Sequence, residues 1–197
     1  MQFIVIPHWT HPESGNTFVQ QKKKQMAVKK TIAIVGATEK EGRKIANQFA
    51  CMPYRFLFIS NKTIELEELT NNILQKNPEA EIEILECVKD GCWEADIIIL
   101  AVAAQQNQKV AGLIKEVATQ KIVVEISDKE KNVNELQKIL PYSKLVKVSG
   151  NFQSQEIEIN GDDETVNEEI MKIFKQAGYK VKIPKKILSG NEIVQVQ

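Results

Sequence analysis

Ile32-Ala33-Ile34-Val35-Gly36-Ala37-Thr38-Glu39-Lys40-Glu41-Gly42-Arg43 passes from an unbroken apolar run through a glycine turn into the start of a helix. A strand this apolar is what the interior of a parallel sheet requires. In such a unit the first glycine lets the chain turn sharply. The amides that follow, at the positive end of the helix dipole, can hold two linked phosphates. Gly36 fits the turn and Gly42 fits close packing of helix on strand. Glu39 stands where a middle glycine would let the backbone approach a phosphate. A carboxylate about 4 Å from a phosphate repels it by roughly 4 kcal/mol at an effective dielectric of about 20. A phosphate-binding turn therefore needs Glu39 directed outward, with Lys40 or Arg43 neutralising it. The alternative is a plain strand-to-helix turn that binds nothing.

Outward from this turn, short β-branched runs alternate with longer segments of helical spacing, which marks repeated βα units around a parallel sheet. A helix is expected over 43–50, with Ile45, Ala46 and Phe49 on one side, then a strand over 54–59 after Pro53. Thr63 is placed to cap the next helix, whose buried face would be Ile64, Leu66, Leu69, Ile73 and Leu74, until Asn77-Pro78 ends it. Residues 81–85 alternate charged and apolar, as a strand near the sheet edge does, whereas 96–102 is the continuous apolar run of a central strand. A helix over 106–118, a strand over 121–126, a short helix over 132–140 stopped by Pro141 and a strand over 144–148 complete the order βαβαβαβαβαβ. Two strictly alternating segments, 156–159 and 180–183, then flank a helix over 164–176, capped by Asp162 or Asp163 and ended by Gly178. If these two strands are neighbours, Glu156 and Glu158 can pair with Lys180 and Lys182, each pair contributing roughly 0.2 to 1 kcal/mol.

The expected fold is a single doubly wound α/β domain, with a mostly parallel Rossmann-type sheet and helices on both faces. At 197 residues the chain can bury a core without disulfides or metal. Residues 29–184 form the domain, 1–28 a flexible N-terminal extension and 185–197 a C-terminal tail. Met26 reads as the natural start and what precedes it as an alternative leader. Lys+Arg and Asp+Glu balance at 26 each, so the total charge favours a small soluble ligand over nucleic acid or a membrane surface. The lysines between 22 and 30 are read as a solvated arm. Cys51, Cys87 and Cys92 match neither a redox pair nor a zinc set, which fits a reducing, cytoplasmic setting. His8 and His11 have no third ligand, so no metal site is expected. The apolar opening 3–6 stops at Pro7, too short for a signal peptide or a spanning helix.

A nicotinamide dinucleotide is the ligand this arrangement suits. NAD-selective sites place an acid at the end of the second strand to accept the ribose hydroxyls. Here Ser60-Asn61-Lys62 stands instead, and a hydroxyl, an amide and a cation suit a 2'-phosphate better, so NADP(H) is expected over NAD(H). The alternative is a polar loop with a solvated lysine.

From about Lys30 to Lys182 the chain resembles the NADP-binding domain of the coenzyme F-420-dependent (deazaflavin) NADP oxidoreductase family, which also includes the reductase domain of eukaryotic membrane metalloreductases. The resemblance rests on Ile34-Val35-Gly36-Ala37-Thr38 with Gly42, on Ser60, and on Ala95-Asp96-Ile97-Ile98-Ile99-Leu100-Ala101-Val102. It continues through Ile122-Val123-Val124-Glu125-Ile126-Ser127, Lys144-Leu145-Val146-Lys147 and Gly161-Asp162-Asp163-Glu164. It implies that Thr38 and the amides around it touch pyrophosphate. It further implies that Ser60 and its neighbours touch the 2'-phosphate and that Ala101, Val102 and Ala103 line the nicotinamide side. The chain departs from the family at Glu39 for glycine, Asn61 for arginine, Ala103 for proline and Asp128 for asparagine.

Two functions follow. In the first, NADPH lies across the C-terminal edge of the sheet and passes hydride to a flavin or deazaflavin acceptor. Such transfer needs positioning more than acid-base groups, which suits a domain without histidine. Ser127, Asp128 and Asn151 are candidates for lining the pocket, and no catalytic residue is assigned. In the second, the protein is a non-catalytic dinucleotide-binding sensor or interaction module with a degenerate phosphate turn. Ile187, Leu188, Ile193 and Val194 are compatible with a homo-oligomer.

Overall fold

Ile97–Leu100 has no exposed position, because this four-residue strand is flanked on both edges by other strands and covered on both faces by helices. The computed structural model describes residues 29–127 and 134–182. Their elements run β1 (Thr31–Val35), α1 (Lys40–Phe49), β2 (Arg55–Ile59), α2 (Thr63–Lys76), β3 (Glu81–Leu85), α3 (Val88–Glu94) and β4 (Ile97–Leu100). They continue with α4 (Ala104–Ile114), β5 (Ile122–Ser127), α5 (Asn134–Ile139), β6 (Lys144–Asn151), β7 (Glu156–Gly161), α6 (Glu164–Gln176) and β8 (Lys180–Lys182).

The strands form one sheet in the order β3-β2-β1-β4-β5-β6-β7-β8. Neighbours are parallel except β6 and β7, which are antiparallel. From β1 the chain first builds toward β3, then crosses back to β4. The strand order reverses between β1 and β4, and ligands of open α/β sheets bind in the crevice beyond the strand ends at such a point.

Alternation along the strands divides the core in two. Ile32, Ile34, Phe56, Phe58, Ile97, Ile99 and Val124 face α1, α2 and α6, where Ile45, Phe49, Leu66, Ile73, Ile170 and Phe174 meet them. Ala33, Val35, Leu57, Ile98, Leu100 and Val123 face α3, α4 and α5, meeting Cys92, Val110, Ala111, Ile114 and Leu136. Burial of each large aliphatic side chain contributes about 1.5 to 3 kcal/mol. β1 is tied to β4 at its entry as well, because Asp96 accepts from the Thr31 amide at 2.8 Å.

The structure thus has the single α/β domain expected, with β3 at the edge and β4 inside, and it revises several details. α1 begins at Lys40, earlier than the expected 43. Thr63 is the first helical residue of α2, with Lys62 in the cap position and no side-chain cap bond. Ile64 is 74% exposed, so the buried face of α2 is Leu66, Leu69, Thr70 and Ile73, with Leu74 half-buried. α3, which filled no named place in the expected order, is short and contains Gly91, whose added Cβ would stand 2.6 Å from Ile59 Cδ1. Asp163 is the cap of α6, accepting from the Val166 amide at 3.2 Å. β7 and β8 are neighbours in the register Glu156 to Lys180 and Glu158 to Lys182, and Lys180 Nζ lies 3.9 Å from Glu156 Oε1. The leader, the C-terminal tail with its apolar residues, both histidines and Asp128 lie outside the described residues.

Candidate functional site

The turn after β1 is held by bonds that leave it little freedom. Gly36 has φ of +85°, the left-handed region that favours glycine. Its amide donates to the Ile59 carbonyl at 2.8 Å, and the Ala37 amide donates to the same oxygen at 3.2 Å. The turn is therefore pinned to the end of β2. A Cβ at Gly36 would stand 2.8 Å from Val102 Cγ1 and 3.0 Å from the Ala101 carbonyl. A Cβ at Gly42 would lie 2.0 Å from the Gly36 carbonyl oxygen. Both glycines are thus required by close approach.

Helix α1 opens directly from this turn. Its first intrahelical bond runs from the Arg43 amide to the Glu39 carbonyl at 2.8 Å. The amides of Lys40, Glu41 and Gly42 precede it and, as in any helix, have no acceptor one turn back. Glu39 occupies the cap position, and its side chain makes no cap bond. It points instead to Lys62, with Oε1 3.2 Å from Nζ. The expected neutralisation by Lys40 or Arg43 is not what forms: Lys40 lies 3.6 Å from Glu41, and Arg43 bonds Glu65 at 3.1 Å. Sequence proximity favoured the near cations, but the end of β2 brings Lys62 across the turn.

Thr38 is buried, and its hydroxyl shares a 2.5 Å hydrogen bond with the Ser60 hydroxyl. Ser60 Oγ also accepts from the Lys62 amide at 3.2 Å. These residues bind the first turn to the β2 loop and hold Lys62 at the rim.

Beside the turn lies a cleft of about 280 Å³. Val35, Ile59, Val88, Val102, Val110 and Leu113 give it apolar walls, and Gly36, Glu39, Ser60, Asn61, Glu86, Gln106 and Lys109 complete its lining. Of the residues expected at a site, Gly36, Glu39, Ser60, Asn61 and Val102 converge there. Ala37, Thr38, Lys40, Gly42 and Lys62 surround it without lining it. Ala101 is packed behind the turn, Ala103 caps α4, and Ser127 ends β5 opposite Ser149. Asn151, also considered for the pocket, is at the far end of β6 beside Glu156. The cleft residues that sequence reading missed are Val35, Ile59, Glu86, Val88, Gln106, Lys109, Val110 and Leu113. The spacing 106, 109, 110, 113 is one stripe of a helix, and that signal was present in the sequence.

Among the described residues, no three His, Cys, Asp or Glu side chains are grouped to hold a metal ion, and no helix is long and apolar enough to cross a membrane.

No protein-family model matches the chain, and no curated protein sequence matches it. Solved structures do match in fold. A pyrroline carboxylate reductase from Plasmodium falciparum with NADP bound superposes with a TM-score of 0.62 at 15% identity, over 80% of this chain and 58% of that one. A pyrroline-5-carboxylate reductase from Coxiella burnetii gives 0.64 at 13% identity, over 82% and 60%. A protein described as an F-420-dependent NADP reductase from Arthrobacter sp. FB24 gives 0.61 at 16% identity, over 80% and 84%. The chain spans about three fifths of the length of the first two. The fold of the described residues is the Rossmann-type α/β fold that these reductases share.

Proposed function

We propose that the chain binds NADP(H), with the pyrophosphate over the start of α1 and the adenosine end in the cleft beside it. The observation that carries this reading is the junction of three features: first-turn amides without a side-chain cap, an adjoining cleft with aliphatic walls, and the reversal of strand order between β1 and β4. Backbone donors and a helix dipole suit the anion, and flat apolar walls suit a purine. Gly36, Ala37, Thr38, Glu39, Lys40 and Gly42 form the phosphate turn in this reading. Ser60, Asn61 and Lys62 meet the 2'-phosphate, and Ala101, Val102, Ala103 and Ser127 lie along the path to the nicotinamide. Residues 29–184 are the binding unit. The Glu39–Lys62 pair sits at the rim, so a 2'-phosphate takes over Lys62 from Glu39 on entry. The likeness in fold to a reductase whose structure holds NADP supports the choice of ligand.

With the cofactor bound, the activity proposed is hydride transfer between NADPH and a flavin or deazaflavin acceptor. The protein's part is to bind and orient, since the cofactors carry the chemistry. The second reading, a dinucleotide-binding module without turnover, is favoured by Glu39 at the cap position and by its claim on Lys62. Titration with NADPH and NADH, followed by nicotinamide fluorescence, and then addition of flavin separates the two. Binding with oxidation of NADPH supports the enzyme, binding without oxidation supports the module, and absence of binding overturns both.

A further inference from the structure

The cleft beside the phosphate turn holds two charged side chains to which the turn itself gives no role. Glu86 directly follows β3, and Lys109 stands on α4 one turn before Leu113. Both line the cleft, and among the described residues neither side chain makes a hydrogen bond or ion pair, even with the other. The third lining charge, Glu39, is taken by Lys62, and the Ser60 hydroxyl by Thr38.

Packing sets where the two charges stand. Two residues, Glu86 and Cys87, join β3 to α3, and Gly91 of α3 lies so close to the end of β2 that an added Cβ would be 2.6 Å from Ile59 Cδ1. α3 is thereby seated on the sheet, and Glu86 is kept at the cleft. Lys109 is held by its neighbour Val110, which is buried in the core of the same face. The walls are aliphatic, with Val88 on the α3 side and Val110 and Leu113 on the α4 side. Leu113 is 53% exposed, an apolar surface that a flat ring in the cleft would cover.

A carboxylate only accepts hydrogen bonds, and an ammonium only donates them. Adenine presents a donor, its 6-amino group, next to an acceptor, the ring nitrogen N1. Guanine and hypoxanthine present a carbonyl oxygen next to an N–H at the same two places, so the pattern is reversed. A base whose ribose is tied to phosphates over the start of α1 is not free to turn over and exchange the two. Asn61 and Gln106 also line the cleft, but an amide both donates and accepts, so neither tells the base types apart.

We propose, resting on the dinucleotide reading of this cleft, that Glu86 and Lys109 select adenine as the base of the ligand. Glu86 accepts from the 6-amino group, and Lys109 donates to N1. A 6-oxo base would set its carbonyl against the carboxylate and its N–H against the ammonium. Rejection of this kind comes from the polar groups that the wrong base leaves unpaired.

The test is calorimetric titration of the full chain with NADPH and with its deaminated analogue, in which hypoxanthine replaces adenine. NADPH is expected to bind about tenfold or more tighter than the analogue. In Glu86→Gln, whose amide can donate to a carbonyl, that ratio should fall to about threefold or less. Loss of a negative charge near a polyanion tightens both nucleotides alike, so the ratio is insensitive to it. Lys109→Met should narrow the same ratio. Both side chains are exposed and unpaired, so neither change removes a contact within the domain. Equal affinities for the two nucleotides in the unaltered chain, or a ratio unchanged in either variant, would overturn the selection of adenine and leave the dinucleotide reading in place. Absence of binding by both nucleotides would overturn the two together.

Discussion

Gly36 and Gly42 belong to the same turn as Glu39, yet the glycines and the Glu39–Lys62 pair are held in opposite ways. The glycines are fixed by contact: one lies against Val102 and Ala101, the other against the Gly36 carbonyl, and neither position has room for a methyl group. Glu39 and Lys62 have side chains about two fifths exposed and meet through a single ion pair. Such a pair is worth about 0.2 to 1 kcal/mol in water and can exchange partners at little cost. The difference teaches that the seat of the turn is set by packing and its charge by the rim. Stability should follow the first and ligand choice the second.

The largest expected effect is therefore at Gly42. Gly42→Ala forces backbone apart and should destabilise the domain by about 3 kcal/mol or more, read by urea unfolding. Gly36→Ala, strained both by its φ and by Val102, should cost about 2 kcal/mol. A loss below about 0.5 kcal/mol at either glycine would break the contrast. At the rim, Lys62→Glu should weaken NADPH by about tenfold or more and NADH much less, with stability nearly unchanged. Equal losses for the two nucleotides would remove the assignment of Lys62 to the 2'-phosphate. Glu39→Gly frees Lys62 and removes a carboxylate from the phosphates, so NADPH should bind about tenfold tighter. Unchanged affinity would place Glu39 away from the ligand. The smallest effect is at Cys92, which lies under the cleft wall on α3 at 0% exposure, with its thiol pushed by burial up to about 12. Iodoacetamide on the native protein should label the exposed Cys51 and Cys87 and leave Cys92 unmodified. Native labelling at Cys92 would show that this part of the core opens readily.

What the sequence disclosed depended on how many residues shared one cause. The runs 32–35, 97–100 and 122–124 are apolar because both faces of their strands are covered, so strand, order and centre could all be read from them. Gly36 and Gly42 were legible for a similar reason, since a turn and a close approach admit few alternatives. α3 was not, because its seven residues include two acids, a lysine and Gly91, and its one fully buried side chain, Cys92, makes no periodic stripe. Ile64 misled because an isoleucine at helical spacing resembles a core position, whereas it lies on the outer side of α2. The partner of Glu39 was missed because two nearer cations competed in sequence with one brought across by the fold. On α4 the stripe 106, 109, 110, 113 was visible in the sequence, but its place beside the turn followed only once α3 and α4 were known to stand on the same face of the sheet.

The most direct test of the dinucleotide seat is a titration of the isotope-labelled chain with NADPH, followed at the backbone amides by NMR. Saturable shifts at Lys40, Glu41 and Gly42, joined by Ser60 and Asn61, are the predicted result. Shifts confined to other surfaces, or none with NADPH at millimolar levels, would contradict it.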